Sequence, residues 1–180
     1  MLAKMAKEEV ILVDIDDRPI GIMEKMEAHQ SGGKLHRAFS AFVFNKNNEL
    51  LLQRRALSKY HSGGLWTNTC CSHPRPGEET IEAGKRRMEE ELGISCNLEE
   101  AFTFIYKAPL DNETTEYEFD HVLIGNFDGE LNLNHEEVES IKWLTLSEIS
   151  VLMEEDPEEF TVWFKIAFER VENYMKNAPR

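Results

Sequence analysis

The chain has 180 residues, of which 41% are hydrophobic and 30% are charged. This size and composition fit one globular domain with a sizeable core and exclude a fibrous or disordered chain. Acidic side chains number 34 and basic ones 20, so the net charge is −14. That charge repels phosphate backbones and anionic bilayers, and we expect neither nucleic acid nor a membrane among the partners.

The N-terminal segment and the cysteines indicate the cellular compartment of the protein. Residues 1–9 contain no long apolar stretch followed by a small-residue cleavage site, so we expect a cytoplasmic protein. The three cysteines, Cys70, Cys71 and Cys96, are an odd number, which fits a reducing compartment better than a disulfide framework. The sequence leaves the oligomeric state open, and a monomer is compatible with it.

Hydrophobic periodicity and turn residues predict one domain of mixed strands and helices. In chain order the predicted elements are a hairpin at 10–14 and 19–22, a helical turn at 24–29, strands at 35–44, 49–54 and 65–67, a helix at 79–92 capped by Gly93, strands at 101–107, 117–127 and 138–144, and helices at 147–155 and 158–176. This order implies a single α/β or α+β domain with a mixed β-sheet sandwiched between helices.

The helix predicted at 79–92 carries two arginines and then three consecutive carboxylates. Such a helix is by itself an ordinary salt-bridged surface. From Ser72 to Ile94, however, the chain resembles the Nudix box, G-x5-E-x7-R-E-U-x-E-E-x-G-U, where U is aliphatic. Two positions depart, because Ser72 replaces the first glycine and Arg87 replaces a metal-binding glutamate. The matching positions are Glu78, Arg86, Met88, Glu90, Glu91, Gly93 and Ile94.

The Nudix resemblance implies a divalent metal ion, and the departures bear on its chemistry. Nudix hydrolases gather carboxylates around Mg²⁺ to activate water. Arg87 removes one such ligand and adds a cation that binds phosphate. The segment is therefore better suited to holding a diphosphate than to cleaving it. Glu91 remains available for the Mg²⁺ that accompanies the diphosphate.

A second resemblance extends over nearly the whole chain. It is to the type I isopentenyl-diphosphate isomerases, a branch of the Nudix superfamily. It implies interconversion of isopentenyl and dimethylallyl diphosphate in isoprenoid biosynthesis, with residues 1–34 as an N-terminal extension that contributes to the site. The shared segments are Lys25 with His29, KLHRAFS at 34–40, QRRALSK at 53–59, WTNTCCSHP at 66–74 and EYE at 116–118.

This second resemblance implies a further divalent ion, which could be Mn²⁺, Zn²⁺ or Mg²⁺. Spacing alone does not select its histidines, but Glu116 and Glu118 flank Tyr117 on a predicted strand and so project from one face. The implied ligands are His29, His36, His73, Glu116 and Glu118.

The same resemblance assigns the reaction to Cys71 and Glu118, with Tyr106 able to hydrogen-bond the glutamate. A double-bond shift adds a proton at one carbon and removes one from another, so a general acid and a general base on opposite faces of the substrate suffice. Trp163 would face the cationic intermediate, although a residue of an amphipathic helix equally often packs in a core. The implied diphosphate-binding residues are Lys25, Arg55, Lys59 and Arg87.

Two other functions remain open from the sequence. One is a Nudix-type diphosphohydrolase acting on a small diphosphate ester, which would release phosphate. The other is a noncatalytic metal-binding module, which would show no turnover. The sequence neither orders the two proton transfers nor selects the ion of the histidine site. Residues without an assigned role are Cys70, Cys96, His61, His121 and His135.

Overall fold

The computed structural model describes residues 8–111 and 113–177. The strands are β1 (Glu9–Val13), β2 (Pro19–Glu24), β3 (His36–Phe44), β4 (Glu49–Arg55), β5 (Trp66–Thr67), β6 (Cys70–Ser72), β7 (Leu98–Pro109), β8 (Thr115–Asn126) and β9 (Val138–Thr145), and the helices are α1 (Lys25–His29), α2 (Thr80–Leu92), α3 (Leu146–Glu155) and α4 (Val162–Asn177). None of the helices in the described part of the chain has the length and apolar character that crossing a bilayer requires.

Strand β3 is the strand around which the sheet is built. It pairs in parallel with β8 from His36 to Phe44 and in antiparallel fashion with β6. Strand β1 meets β3 at His36, and β7 runs antiparallel along β8. Strand β4 joins β3 at Phe44 and pairs in turn with β5 and β9. Parallel and antiparallel pairs in one sheet confirm the predicted mixed fold.

Alternate side chains of β3 enter two different cores. Phe42 and Phe44 pack on the side covered by α3 and α4. Phe39, Ala41 and Val43 pack on the side covered by α2. Fully burying one such large apolar side chain contributes about 1.5–3 kcal/mol. Helices therefore cover both faces of the sheet, as predicted.

The prediction that the last helix begins at residue 158 is wrong. A 3-10 helix occupies Pro157–Glu159, and Phe160 then forms a parallel bridge with Trp66 of β5. The backbone N–H of Thr161 donates to the carbonyl of Trp66 at 2.9 Å. This pairing interrupts the helical pattern, and α4 begins only at Val162. Strand β6 escaped prediction because three residues are too few to show a period.

Helix α2 ends at Gly93, as predicted. Gly93 has a φ of +68°, in the left-handed region that glycine adopts without steric cost. Its N–H donates to the carbonyl of Glu89 at 3.0 Å, and the N–H of Ile94 donates to that of Met88 at 3.3 Å. These two hydrogen bonds give donors to carbonyls that would otherwise have none at the end of the helix.

The N-terminal hairpin places α1 beside the sheet. Strands β1 and β2 pair in antiparallel fashion, as predicted. The carboxylate of Glu24 then accepts hydrogen bonds from the backbone N–H groups of Met26 and Glu27. This N-cap starts the short helix that carries Lys25 and His29.

Candidate active site

A cavity opens between α1, the ends of β4 and β6, helices α2 and α4, and strands β7 and β8. The structure brings eleven of the thirteen residues predicted from the sequence to its wall. The other two, His29 and His36, are fully buried beside it. The lining residues are Lys25, Phe39, Gln53, Arg55, Lys59, Tyr60, His61, Cys71, Ser72, His73, Arg87, Glu91, Tyr106, Glu116, Glu118 and Trp163.

Three imidazoles and one carboxylate converge at one end of this cavity. One ligand atom from each of four residues, His29, His36, His73 and Glu118, lies within 4.8 Å of the others. Nε2 of His36 is 3.1 Å from Nε2 of His73, which in turn is 2.9 Å from Oε1 of Glu118. Four different elements supply this group: α1, β3, β8 and the segment that follows β6.

The hydrogen bonds of the two buried histidines fit a metal ion. Nδ1 of His29 lies 2.7 Å from the carbonyl of Lys25, and Nδ1 of His36 lies 2.7 Å from that of Lys34. A proton on each Nδ1 leaves the Nε2 lone pair aimed into the group. Among the described residues, Nε2 of His29 has no hydrogen-bond partner although it is buried. Nitrogen-rich donors of this kind suit Zn²⁺ or Mn²⁺.

Glu116 lies beside this group, and its contacts differ from those of Glu118. Its Oε2 is 2.7 Å from the hydroxyl oxygen of Tyr106, which is also 2.6 Å from Oε2 of Glu118. The Tyr106 hydroxyl thus lies within hydrogen-bond distance of both carboxyl groups. Glu116 is not among the four converging residues, and its role as a fifth ligand stays a prediction.

The two carboxyl groups have opposite proton affinities. Burial and the charge of Glu118 raise the pKa of Glu116 well above its usual range. Burial also disfavours the charge of Glu118, but contacts with the imidazoles of His36 and His73 outweigh it and hold the pKa of Glu118 well below its usual range. Of the two carboxyl groups, Glu116 therefore has the higher proton affinity.

Cys71 brings a thiol to the same cavity. It lies on β6 directly opposite Ser40 of β3, and its side chain is partly buried. Burial and the nearby carboxylates raise the pKa of the Cys71 thiol to about 12. The thiol is consequently protonated at neutral pH, which suits a proton donor rather than a nucleophile.

Trp163 forms an aromatic wall of the cavity. Cζ of Arg55 lies 5.1 Å from the centre of its ring, and the ring of His61 meets it edge-on at 5.7 Å. Burial and the charge of Arg55 lower the pKa of His61 to about 3, so this imidazole is neutral. Nε of Arg55 is a buried donor without a hydrogen-bond partner among residues 8–111 and 113–177.

The residues that match the Nudix box divide into structural residues and cavity residues. Arg86 donates twice to Glu78, at 2.7 and 2.9 Å, and this pair fastens the loop before α2 to the helix. Glu91 faces the cavity, where it accepts from Gln53 at 3.0 Å and from Arg87 at 2.6 Å. A buried carboxylate beside a phosphate-binding arginine fits the predicted Mg²⁺ ligand.

Sequence reasoning assigned no role to several side chains that border this site, among them Gln53, His61 and Glu137. Gln53 fixes Glu91, His61 packs on Trp163, and Glu137 contacts both Lys59 and Arg87. Gln53 belongs to the shared segment at 53–59 but received no role there, and no motif or period marks His61 or Glu137. Of the histidines without an assigned role, His121 lies away from the cavity, between Glu100 and Asp17.

The amino-acid sequence is similar to those of known proteins. Residues 34–164 match the NUDIX domain. The chain is 49% identical over 170 residues to the isopentenyl-diphosphate Delta-isomerase of Pectobacterium atrosepticum, with 94% of each chain covered. It is 50% identical over 164 residues to that of Burkholderia multivorans, covering 91% of this chain and 93% of the relative.

The fold also resembles solved structures. A MutT protein from Methanosarcina mazei Go1 superposes with a TM-score of 0.65 at 21% identity, over 79% of this chain and 96% of that one. The fold and the matched domain define a NUDIX protein, and the chain belongs to that family. Within the family it belongs with the isopentenyl-diphosphate Delta-isomerases, which are about half identical to it over most of their length.

Proposed function

We propose that the chain interconverts isopentenyl diphosphate and dimethylallyl diphosphate by adding a proton at one carbon and removing one from another. The observation on which this rests is that a thiol, Cys71, and a carboxylate, Glu118, line one cavity. A proton donor and a proton acceptor are what a double-bond shift needs. The names of the relatives from Pectobacterium and Burkholderia describe the same activity.

In this proposal the two ends of the substrate contact different side chains of the cavity. The diphosphate would contact Lys25, Arg55, Lys59 and Arg87, all of which line the cavity. The five-carbon end would lie between Cys71 and Glu118, where Trp163 provides an electron-rich face for developing positive charge. Tyr106 holds Glu118 by a hydrogen bond of 2.6 Å and so fixes the direction in which its carboxylate accepts a proton.

Two divalent ions complete the proposal. His29, His36, His73 and Glu118, with Glu116 as a further candidate, would hold Mn²⁺, Zn²⁺ or Mg²⁺. Glu91 would hold the Mg²⁺ that arrives with the diphosphate. When bound, these ions would supply positive charge that orders the carboxylates and offsets the phosphate oxygens. The protein's own groups still carry out both proton transfers.

The rival function is hydrolysis of a small diphosphate ester. Arg87 argues against it, because its guanidinium occupies the box position of a metal-binding carboxylate and donates to Glu90 and Glu91. Metal-loaded protein should be incubated with isopentenyl diphosphate and followed by ¹H and ³¹P NMR. We expect an allylic diphosphate and no inorganic phosphate. Release of phosphate without an allylic product would overturn the isomerase proposal and favour the hydrolase.

A further inference from the structure

Glu137 is a single carboxylate shared by two cations of the cavity. Its Oε2 contacts Nζ of Lys59, and its Oε1 lies 3.3 Å from a terminal nitrogen of Arg87. The side chains of Glu137 and Lys59 are 23% exposed and that of Arg87 is 18% exposed. At this burial, solvent and salt screen the ion pairs less than they screen pairs on the surface.

The backbone fixes Glu137 between the two elements that carry these cations. Its carbonyl accepts from the N–H of Ala56 at 2.9 Å, close to the loop that bears Lys59. Its own N–H donates to the carbonyl of Asn134 at 2.9 Å, and the N–H of Asn134 donates to the carbonyl of Glu91 at 2.9 Å. Glu137 is therefore tied to the end of α2 as well as to the loop after β4.

The charges around Lys59 and Arg87 disfavour the binding of a diphosphate that carries no metal ion. Arg87 also lies 2.7 Å from Glu90 and 2.6 Å from Glu91. Glu90 also contacts Arg86, which pairs with Glu78, so the connected group holds three positive side chains and four carboxylates and keeps one net negative charge. A diphosphate without a metal ion adds more negative charge here, whereas one that carries a divalent cation adds less.

We propose that Glu137 is a specificity-determining residue that competes with the diphosphate for Lys59 and Arg87. The competition makes tight binding depend on the divalent cation that enters with the diphosphate, and so disfavours metal-free diphosphates. The identity of the substrate rests on the function proposed above. The role of Glu137 itself concerns the two cations and involves no contact with the reacting carbons.

The test compares binding with and without Mg²⁺ by isothermal titration calorimetry. Zn²⁺-loaded protein, freed of excess metal by gel filtration, is titrated with isopentenyl diphosphate and separately with inorganic pyrophosphate. The variants are Glu137→Gln, which keeps an acceptor oxygen but loses the charge, and Glu136→Gln, which loses the same charge at an exposed neighbouring position. Binding requires no turnover, so this test remains decisive even if the isomerase assay fails.

We expect Glu137→Gln to bind the metal-free ligands about tenfold more tightly and the Mg²⁺-bound ligands within about threefold of wild type, where tenfold corresponds to about 1.4 kcal/mol. Glu136→Gln should shift either affinity less than about twofold, as expected for an exposed charge. Equal weakening with and without Mg²⁺ would show that Glu137 only positions the cations. If Glu137→Gln binds the metal-free ligands as wild type does but gains no affinity when Mg²⁺ is added, Glu137 is a metal ligand. Either result would overturn the proposal.

Discussion

Cys70 and Cys71 are adjacent in the sequence but lie on opposite faces of the sheet. Cys70 is fully buried in the core that β3 shares with α2. Cys71 lines the cavity instead, opposite Ser40. The strand geometry of β6 causes this division, because successive side chains of a strand point to opposite faces. Only one of the two thiols can therefore reach the substrate.

The first prediction separates the two cysteines. Cys71→Ser should lower kcat by about 10²–10⁴, the usual effect of losing a positioned acid or base, because a serine hydroxyl is a far weaker acid. Circular dichroism should show an unchanged fold. Cys70→Ala is the control, and it should keep kcat within about threefold while losing about 1 kcal/mol of stability through a small cavity. Equal losses of kcat in the two variants would refute the assignment of Cys71.

A second prediction concerns the metal ligands. Glu118→Gln should weaken Mn²⁺ or Zn²⁺ binding by more than about tenfold, because its carboxylate oxygen lies among the converging imidazoles. Glu116→Gln should weaken it less, since Glu116 is not one of the four converging residues. Calorimetric titration of the metal-free proteins measures both affinities. A larger loss in Glu116→Gln would mean that the four-residue group does not describe the metal site.

A third prediction follows from His61, whose pKa burial lowers to about 3. In the unfolded chain His61 has an ordinary pKa near 6.5 and binds a proton between pH 7 and 5. In the folded protein it stays neutral over this range. Stability is thus lost as pH falls, and this histidine contributes about 2 kcal/mol to that loss. Urea unfolding at pH 7 and at pH 5 gives the decrease in the free energy of unfolding for each protein. We expect this decrease to be smaller in His61→Gln than in wild type by about 2 kcal/mol. Parallel losses in the two proteins would show that His61 is protonated when folded.

A fourth prediction tests the end of α2. In Gly93→Ala, the new Cβ would lie 2.8 Å from Cβ of Asn132 and 3.1 Å from its backbone nitrogen. Together with the φ of +68°, this should cost about 1–3 kcal/mol. Gly77→Ala is a matched control, because its φ is +79° but nothing lies within 4 Å of the added carbon. Equal thermal stability of the two variants would rule out the packing contribution at Gly93.

Local sequence patterns predicted most of this fold. Alternation and turn residues located β3 and β4, and the glycine at 93 located the end of α2. The start of α4 could not be predicted, because the pairing of Phe160 with Trp66 depends on a strand distant in sequence. The boundary at residue 34 and the cytoplasmic location stay predictions, and the oligomeric state stays open.

The candidate site was predicted through motifs rather than through periodicity. The resemblance to a known family named residues such as His29 and Lys25, whose spacing alone would have marked them as surface or packing residues. Glu137 was not predicted, since an acidic residue directly before a strand is common in sequences. Only the pairing of the strands shows that it contacts Lys59. Tertiary contacts between distant elements are what the sequence could not supply.

The most direct test of the central claim is isomerisation in deuterated water. Metal-loaded protein is incubated with isopentenyl diphosphate, and the product is analysed by NMR. A proton added at one carbon and removed from another must exchange with solvent at the donor and acceptor groups, so we predict dimethylallyl diphosphate that carries deuterium. Product without deuterium, or no allylic product from folded, metal-loaded protein, would contradict this account.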